Sequence, residues 1–130
     1  RMKYLIVAAE FNAMITDAML EACLRGFKEQ EITPTVLRVP GAAEIPVAIK
    51  KSIEKDHYDA VVAIGSLVKG ETDHYKAICE MVTQGLTLLM VKHGLPIVFE
   101  VLMTDTYKKA EARIEKGYHA AFVATRMAQL

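Results

Sequence analysis

The stretch Gly65-Ser66-Leu67-Val68-Lys69-Gly70-Glu71-Thr72-Asp73-His74 holds the densest potential chemistry in the chain. It has the glycines and lysine of a phosphate loop, but a Walker A motif needs Gly, four residues, then Gly-Lys-Ser/Thr. Here Lys69 precedes Gly70, so that reading fails. What remains is a glycine-containing turn with Thr72 opening a helix. Its free backbone N–H groups suit one phosphate or carboxylate. His74 falls in the first helical turn, where an imidazole either moves protons near neutral pH or is an ordinary surface residue. Three other places carry chemistry. In Ala9-Glu10-Phe11-Asn12, Phe11 either stacks on a flat heterocycle or staples the next helix, and Asn12 suits a turn or local capping. In Val39-Pro40-Gly41-Ala42-Ala43-Glu44-Ile45-Pro46, Pro40-Gly41 makes a tight turn that lets backbone approach a ligand. Glu44 there either favours the helix dipole or accepts from ligand hydroxyls. Arg113 stands between Glu111 and Glu115, as a surface ion pair or as an anion ligand.

The elements that must position these residues follow from periodicity. Short apolar runs rich in β-branched residues occupy Tyr4 to Ala8, Thr35 to Val39, Ala60 to Ile64 and Ile97 to Leu102. Each precedes a segment with helical character. Ile15, Met19, Ala22, Cys23 and Phe27 form a stripe after the first run. Ala43 to Ser52 can be helical after the second, with Pro46 in the first turn. Ile78, Met81, Val82, Gly85, Leu86 and Leu89 recur at helical spacing after the third, and Gly94-Leu95-Pro96 stops that helix. After the fourth, Thr104-Asp105-Thr106 offers caps to one final helix with Ala110, Ile114, Gly117, Ala121 and Ala124 on a small-residue face. Strands alternating with helices predict a parallel sheet covered on both faces, and right-handed crossovers narrow its topology. The expected fold is a three-layer, flavodoxin-like α/β domain spanning residues 1–130, with a four-stranded parallel sheet of order 2-1-3-4. Ligands in such a fold bind beyond the carboxyl ends of the strands, at the switch point between strands 1 and 3. The loops singled out above begin there.

Composition excludes several classes of function. The chain has 130 residues, 52% hydrophobic and 25% charged, with 16 basic and 16 acidic side chains. A balanced charge argues against a nucleic-acid or membrane-surface partner. No apolar run reaches the ~18–20 residues of a membrane span. Tyr4 to Val7, just after the N-terminus, is too short for a signal-peptide core, so the cytoplasm is the expected compartment. Cys23 and Cys79 are read as reduced core cysteines, and His57, His74, His93 and His119 show no zinc-ligand spacing.

Taken together, the loops resemble one family. Phe11-Asn12 with Ile15-Thr16 is similar to the FNxxIT opening of lumazine synthases. Val39 to Pro46 resembles their VPGAxEIP motif, Gly65 to Tyr75 their GxxIRGxTxHY, and Pro96 to Thr106 their PIxFGVLTTDT, with Arg113 at the family's spacing. The resemblance runs from about residue 2 to residue 128. It implies condensation of 5-amino-6-(D-ribitylamino)uracil with 3,4-dihydroxy-2-butanone 4-phosphate to 6,7-dimethyl-8-ribityllumazine, without metal or redox cofactor. It further implies that Phe11 stacks on the pyrimidinedione and that backbone around Ser66, Leu67 and Val68 reads its polar edge. Glu44 would accept from the ribityl chain, with Ala42 and Ala43 lining the slot. Glu71 and Thr72 would hold phosphate through N–H groups, with Arg113 adding charge. Phe99 would close the pocket and His74 would move protons. Self-association into a ring, a pentamer or a multiple of it, is implied as well.

The chain departs from the pattern in three places. Glu100 stands where the family usually has glycine and Met103 where it usually has threonine. The stretch after Arg113 is short, which leaves Lys116 as the candidate replacement for a phosphate-side lysine. These departures keep two alternatives open: a paralogue of altered activity, such as one resembling the archaeal riboflavin synthase of this fold, or a shell-forming scaffold with a vestigial site. A receiver-like signalling domain fits less well, because strand 3 ends in Ile64-Gly65-Ser66 without acidic residues.

Overall fold

A computed structural model describes residues 1–130. Strand β1 spans Tyr4–Ala9, β2 Thr35–Val39, β3 Ala60–Val68 and β4 Ile97–Thr104. Helix α1 spans Ala13–Glu29, α2 Ile45–Lys55, α3 His74–His93, α4 Tyr107–Glu111 and α5 Lys116–Ala128, and a 3₁₀ turn at Ala42–Glu44 leads into α2. The sheet is parallel throughout, in the expected order β2-β1-β3-β4.

The two central strands explain the layering. Every residue of β1 is buried, as is β3 from Ala60 to Ser66, because helices cover both faces of the sheet. Alternate side chains diverge. Tyr4, Ile6, Ala8, Val62 and Ile64 pack with Ile15, Met19, Phe27 and Ala121 of α1 and α5. Leu5, Val7, Val61 and Ala63 pack with Ile45, Ile49, Val82 and Leu86 of α2 and α3. The α1/α5 layer is tight. A Cβ on buried Gly117 would overlap the backbone of Met19 in α1, so this small-residue position is a steric requirement.

The structure corrects several element boundaries; β1 and β4 run past their expected ends, to Ala9 and Thr104. Strand β3 does not end at Ile64 but continues to Val68, so Ser66, Leu67 and Val68 are strand residues paired with Leu102, Met103 and Thr104. Gly65 is part of the ladder: a side chain there would press on Val101 and Ala42, at 3.3 and 3.4 Å. The helix expected from Ala43 onward begins at Ile45, after the 3₁₀ turn. The single final helix is two. Between α4 and α5 the chain tightens into i→i+3 bonds, Arg113 N–H to the Ala110 carbonyl at 2.9 Å and Lys116 N–H to the Arg113 carbonyl at 3.0 Å. Such short-period turns break an α-helix while keeping its direction compact. The caps behave as expected at α4, where the Thr106 side chain accepts from Lys109 N–H at 3.2 Å.

Candidate active site

A cavity of about 450 Å³ opens at the carboxyl ends of β1 and β3, on the α2/α3 side of the sheet. This is the switch point of the fold. Phe11, Ala42, Ala43, Glu44, Leu67, Val68, Thr72 and His74 all line it. Gly41, Gly70, Tyr75 and Ile78 line it too. In sequence the last two are a motif residue and a helix-stripe residue, without a role in the site. Their spacing is the available signal, since Tyr75 and Ile78 follow His74 on the first turns of α3.

The geometry bears on several of the open choices. Phe11 is 67% exposed, so it does not staple α1. Its ring is presented to the cavity mouth, which is costly unless something flat covers it. Glu44 makes no side-chain capping bond to the 3₁₀ turn or to α2. Its carboxylate instead turns back over Gly41, where a Cβ would lie 3.2 Å from Oε1. His74 is the first residue of α3 and exposed, its N–H donating to Thr72 Oγ1 at 3.3 Å. The N–H groups of Gly70, Glu71, Thr72 and Asp73 donate to no other group of the chain, so four donors stand free beside the helix N-terminus. Burial pushes the Tyr75 phenol above its ordinary value, and the nearby Cys79 and Asp105 push the same way. The phenol therefore remains a neutral hydrogen-bonding group at the cavity wall.

Four of the expected residues do not line the cavity: Glu71, exposed in the loop before α3, and the three that follow. Ser66 is on the neighbouring face of β3, and its Oγ is buried without a partner. Phe99 is 42% exposed on the edge strand β4, paired with Ala63 in the middle of the sheet. Arg113 sits in the turn between α4 and α5. It forms no ion pair with Glu111 or Glu115; its Nη1 donates to the Lys109 carbonyl at 2.8 Å, and Glu115 is held by Arg25 at 2.6 Å. Its charge is unpaired. Neither Phe99 nor Arg113 lines the cavity of its own chain.

Glu100 has an environment that its motif position does not foretell. One carboxylate oxygen is buried without a hydrogen-bond partner, and Lys116 Nζ is 3.8 Å away. Burial raises its carboxyl above the ordinary glutamate range, and the charges of Lys116 and His119 oppose that only in part. The folded chain therefore holds this proton more tightly than the unfolded chain. Stability falls as pH rises from the ordinary glutamate value through the raised one, then levels off. Glu100→Gln is expected to unfold at a higher temperature than the parent at pH 7 and above, with the gap narrowing toward pH 4. Thermal midpoints across that range measure it. A gap that stays constant or widens on acidification would mean that Lys116 compensates the charge fully.

The comparisons with known proteins agree with this geometry. Residues 1–130 match the sequence profile described as 6,7-dimethyl-8-ribityllumazine synthase. A protein of that name from Polaromonas sp. strain JS666 is 40% identical, with 96% of this chain and 84% of the relative covered. Another from Arthrobacter sp. strain FB24 is also 40% identical, over 95% of this chain and 81% of the relative. A full-length match at this identity, on a fold that gathers Phe11, Glu44 and His74 at its switch point, places the chain in the 6,7-dimethyl-8-ribityllumazine synthase family.

Proposed function

We propose that the chain condenses 5-amino-6-(D-ribitylamino)uracil with 3,4-dihydroxy-2-butanone 4-phosphate to 6,7-dimethyl-8-ribityllumazine, releasing phosphate and water. The observation that carries this reading is the cavity itself, which combines an exposed aromatic ring, an uncommitted carboxylate, free N–H donors and an imidazole. The reaction requires a slot for a flat ring, acceptors for hydroxyls, an anion site and a proton carrier.

Phe11 stacks on the pyrimidinedione, and backbone of Ser66, Leu67 and Val68 at the end of β3 pairs with its polar edge. Glu44 accepts from the ribityl hydroxyls beside Ala42 and Ala43. Glu71 and Thr72 give N–H groups to the phosphate. His74, at the mouth, moves protons as the amine adds to the ketone, as water and phosphate leave, and as the ring closes. Holding both substrates in one slot supplies much of the remaining acceleration.

The site is completed by a second copy of the chain, whose Phe99 closes the slot and whose Arg113 meets the phosphate. A head-to-tail contact of this kind repeats into a closed ring, a pentamer or a multiple of it. The unpartnered apolar stripe Met81, Leu88 and Val91 on α3, up to 80% exposed, supports self-association. The substrates are small molecules, the balanced charge fits no nucleic-acid or membrane partner, and the working compartment is the cytoplasm. No helix is long and apolar enough to cross a membrane.

The test is to incubate pure protein with both substrates and follow lumazine absorbance and fluorescence. Product formation faster than the spontaneous condensation is expected. Folded protein that leaves the spontaneous rate unchanged would overturn the reading.

A further inference from the structure

Strand β3 outruns its neighbour. Its pairing with β1 ends at Ala8 and Ile64, whereas β3 continues to Val68 against β4. Alternate carbonyls of β3 beyond that point face the β1 side, where no strand partner remains. One of them, on Ser66, accepts a hydrogen bond from Asn12 Nδ2 at 2.7 Å in a partly buried setting. Asn12 sits just before α1 and would ordinarily use its side chain to cap that helix, but it makes no capping bond. Its backbone is in the left-handed region, φ 58° and ψ 51°, which asparagine tolerates better than other residues with a side chain. Its carbonyl accepts from Ile15 and Thr16 N–H at 2.9 and 3.0 Å, so the left-handed turn starts α1 while the amide reaches across to β3. On the other side, Phe11 N–H is tied to the Pro40 carbonyl at 3.0 Å.

We infer that Asn12 is a positioning residue, which sets the gap between the Phe11 ring and the Leu67–Val68 end of β3 by bonding Ser66. One wall of the cavity is the loop after β1 and the other is the end of β3, and among side chains Asn12 supplies the bond that joins them. Asn12 acts on the ring-binding slot and not on the phosphate side, where the free N–H groups of Gly70 to Asp73 lie. The inference rests on the proposed use of this cavity for a flat pyrimidinedione.

Two variants separate positioning from structural support. Asn12→Gly keeps the left-handed turn at no steric cost and deletes the amide. Asn12→Asp keeps size but replaces the donor with a carboxylate facing a carbonyl. For Asn12→Gly the KM for the ribitylaminouracil is expected to rise about three- to tenfold, the loss of one hydrogen bond. The KM for the phosphorylated ketone should be unchanged, kcat should change less than twofold, and the unfolding midpoint should stay near that of the parent. Asn12→Asp should be at least as impaired. In the ligand-free protein, amide hydrogen exchange at Phe11 should quicken in both variants. Equal KM values for the ribitylaminouracil in parent and Asn12→Gly, or unaltered exchange at Phe11, would overturn the inference. If the parent makes no lumazine, the proposed function falls, and the exchange arm alone still decides whether Asn12 holds the loop.

Discussion

His74→Ala is expected to slow the single-turnover rate constant at saturating substrates by ~10²–10⁴-fold, the usual worth of a positioned general acid–base. Affinity for either substrate should change little. The expectation follows from where the ring stands. His74 is the only histidine lining the cavity, it opens α3 beside the free N–H donors, and it is exposed enough to reach a bound ligand. Imine formation, loss of phosphate and ring closure each require a proton to be delivered or removed, and no other lining side chain is as well suited near neutral pH. Glu44 is committed in the proposed scheme to the ribityl chain, and the Tyr75 phenol titrates too high. Because the side chain is exposed, the variant should unfold at the parent's midpoint, so a slow rate could not be blamed on misfolding. Rapid mixing with both substrates in excess of their KM, followed by lumazine absorbance, gives the constant directly. A value equal to the parent's would remove His74 from the chemistry and leave catalysis to proximity alone.

The parts of this site that are legible in sequence share one property: their signal is local. Strand, turn and helix start succeed one another within ten residues at each loop, so the switch-point rule alone is enough to locate Phe11, Glu44 and His74. What stays hidden depends on partners distant in sequence. Gly65 reads as a break because glycine weakens an isolated strand, yet here the close approach of Val101 and Ala42 leaves little room for a side chain and β3 runs on to Val68. The helical period of Ala110, Ile114, Gly117 and Ala121 passes without a gap through the turn between α4 and α5, so periodicity cannot reveal the break there. Local capping is the commoner use of an asparagine amide at a helix start, and only the unequal lengths of β1 and β3 redirect that of Asn12. The free state of Arg113 is equally hidden, since nothing in the run from Glu111 to Glu115 says that Arg25 takes Glu115.

Arg113→Ala is expected to raise the KM for the phosphorylated ketone about ten- to a hundredfold, because a charge-assisted hydrogen bond contributes ~1.5–3 kcal/mol. The architecture adds a sharper consequence. Ala110 and Gly117, on either side of Arg113, pack on the α1/α5 side of the sheet, and Lys116 stands beside Glu100 there. The cavity is on the α2/α3 side, with Ala42 and Leu67 in that cluster. Arg113 would have to pass the edge strand β4 to reach a phosphate in its own chain. Phe99 is barred by distance instead: on the α2/α3 face with Ile97 and Val101 but five residues below Thr104, it lies ~16 Å from the ligand end of β4 at ~3.3 Å per residue. A neighbour docked on that edge meets no such barrier, so the arginine should serve the adjacent copy. Unfolding His74→Ala and Arg113→Ala together in equal amounts and refolding them tests this. At ketone concentrations well below the parent's KM, each variant refolded alone should be nearly inactive. In a mixed ring, a site works when its own chain keeps His74 and its neighbour keeps Arg113, which random mixing grants to about a quarter of sites. Recovery near that fraction is the expected result. If exchange of subunits is demonstrated by mass and activity still does not exceed that of the separate variants, His74 and Arg113 act within one chain, and the ring is not needed to complete the site.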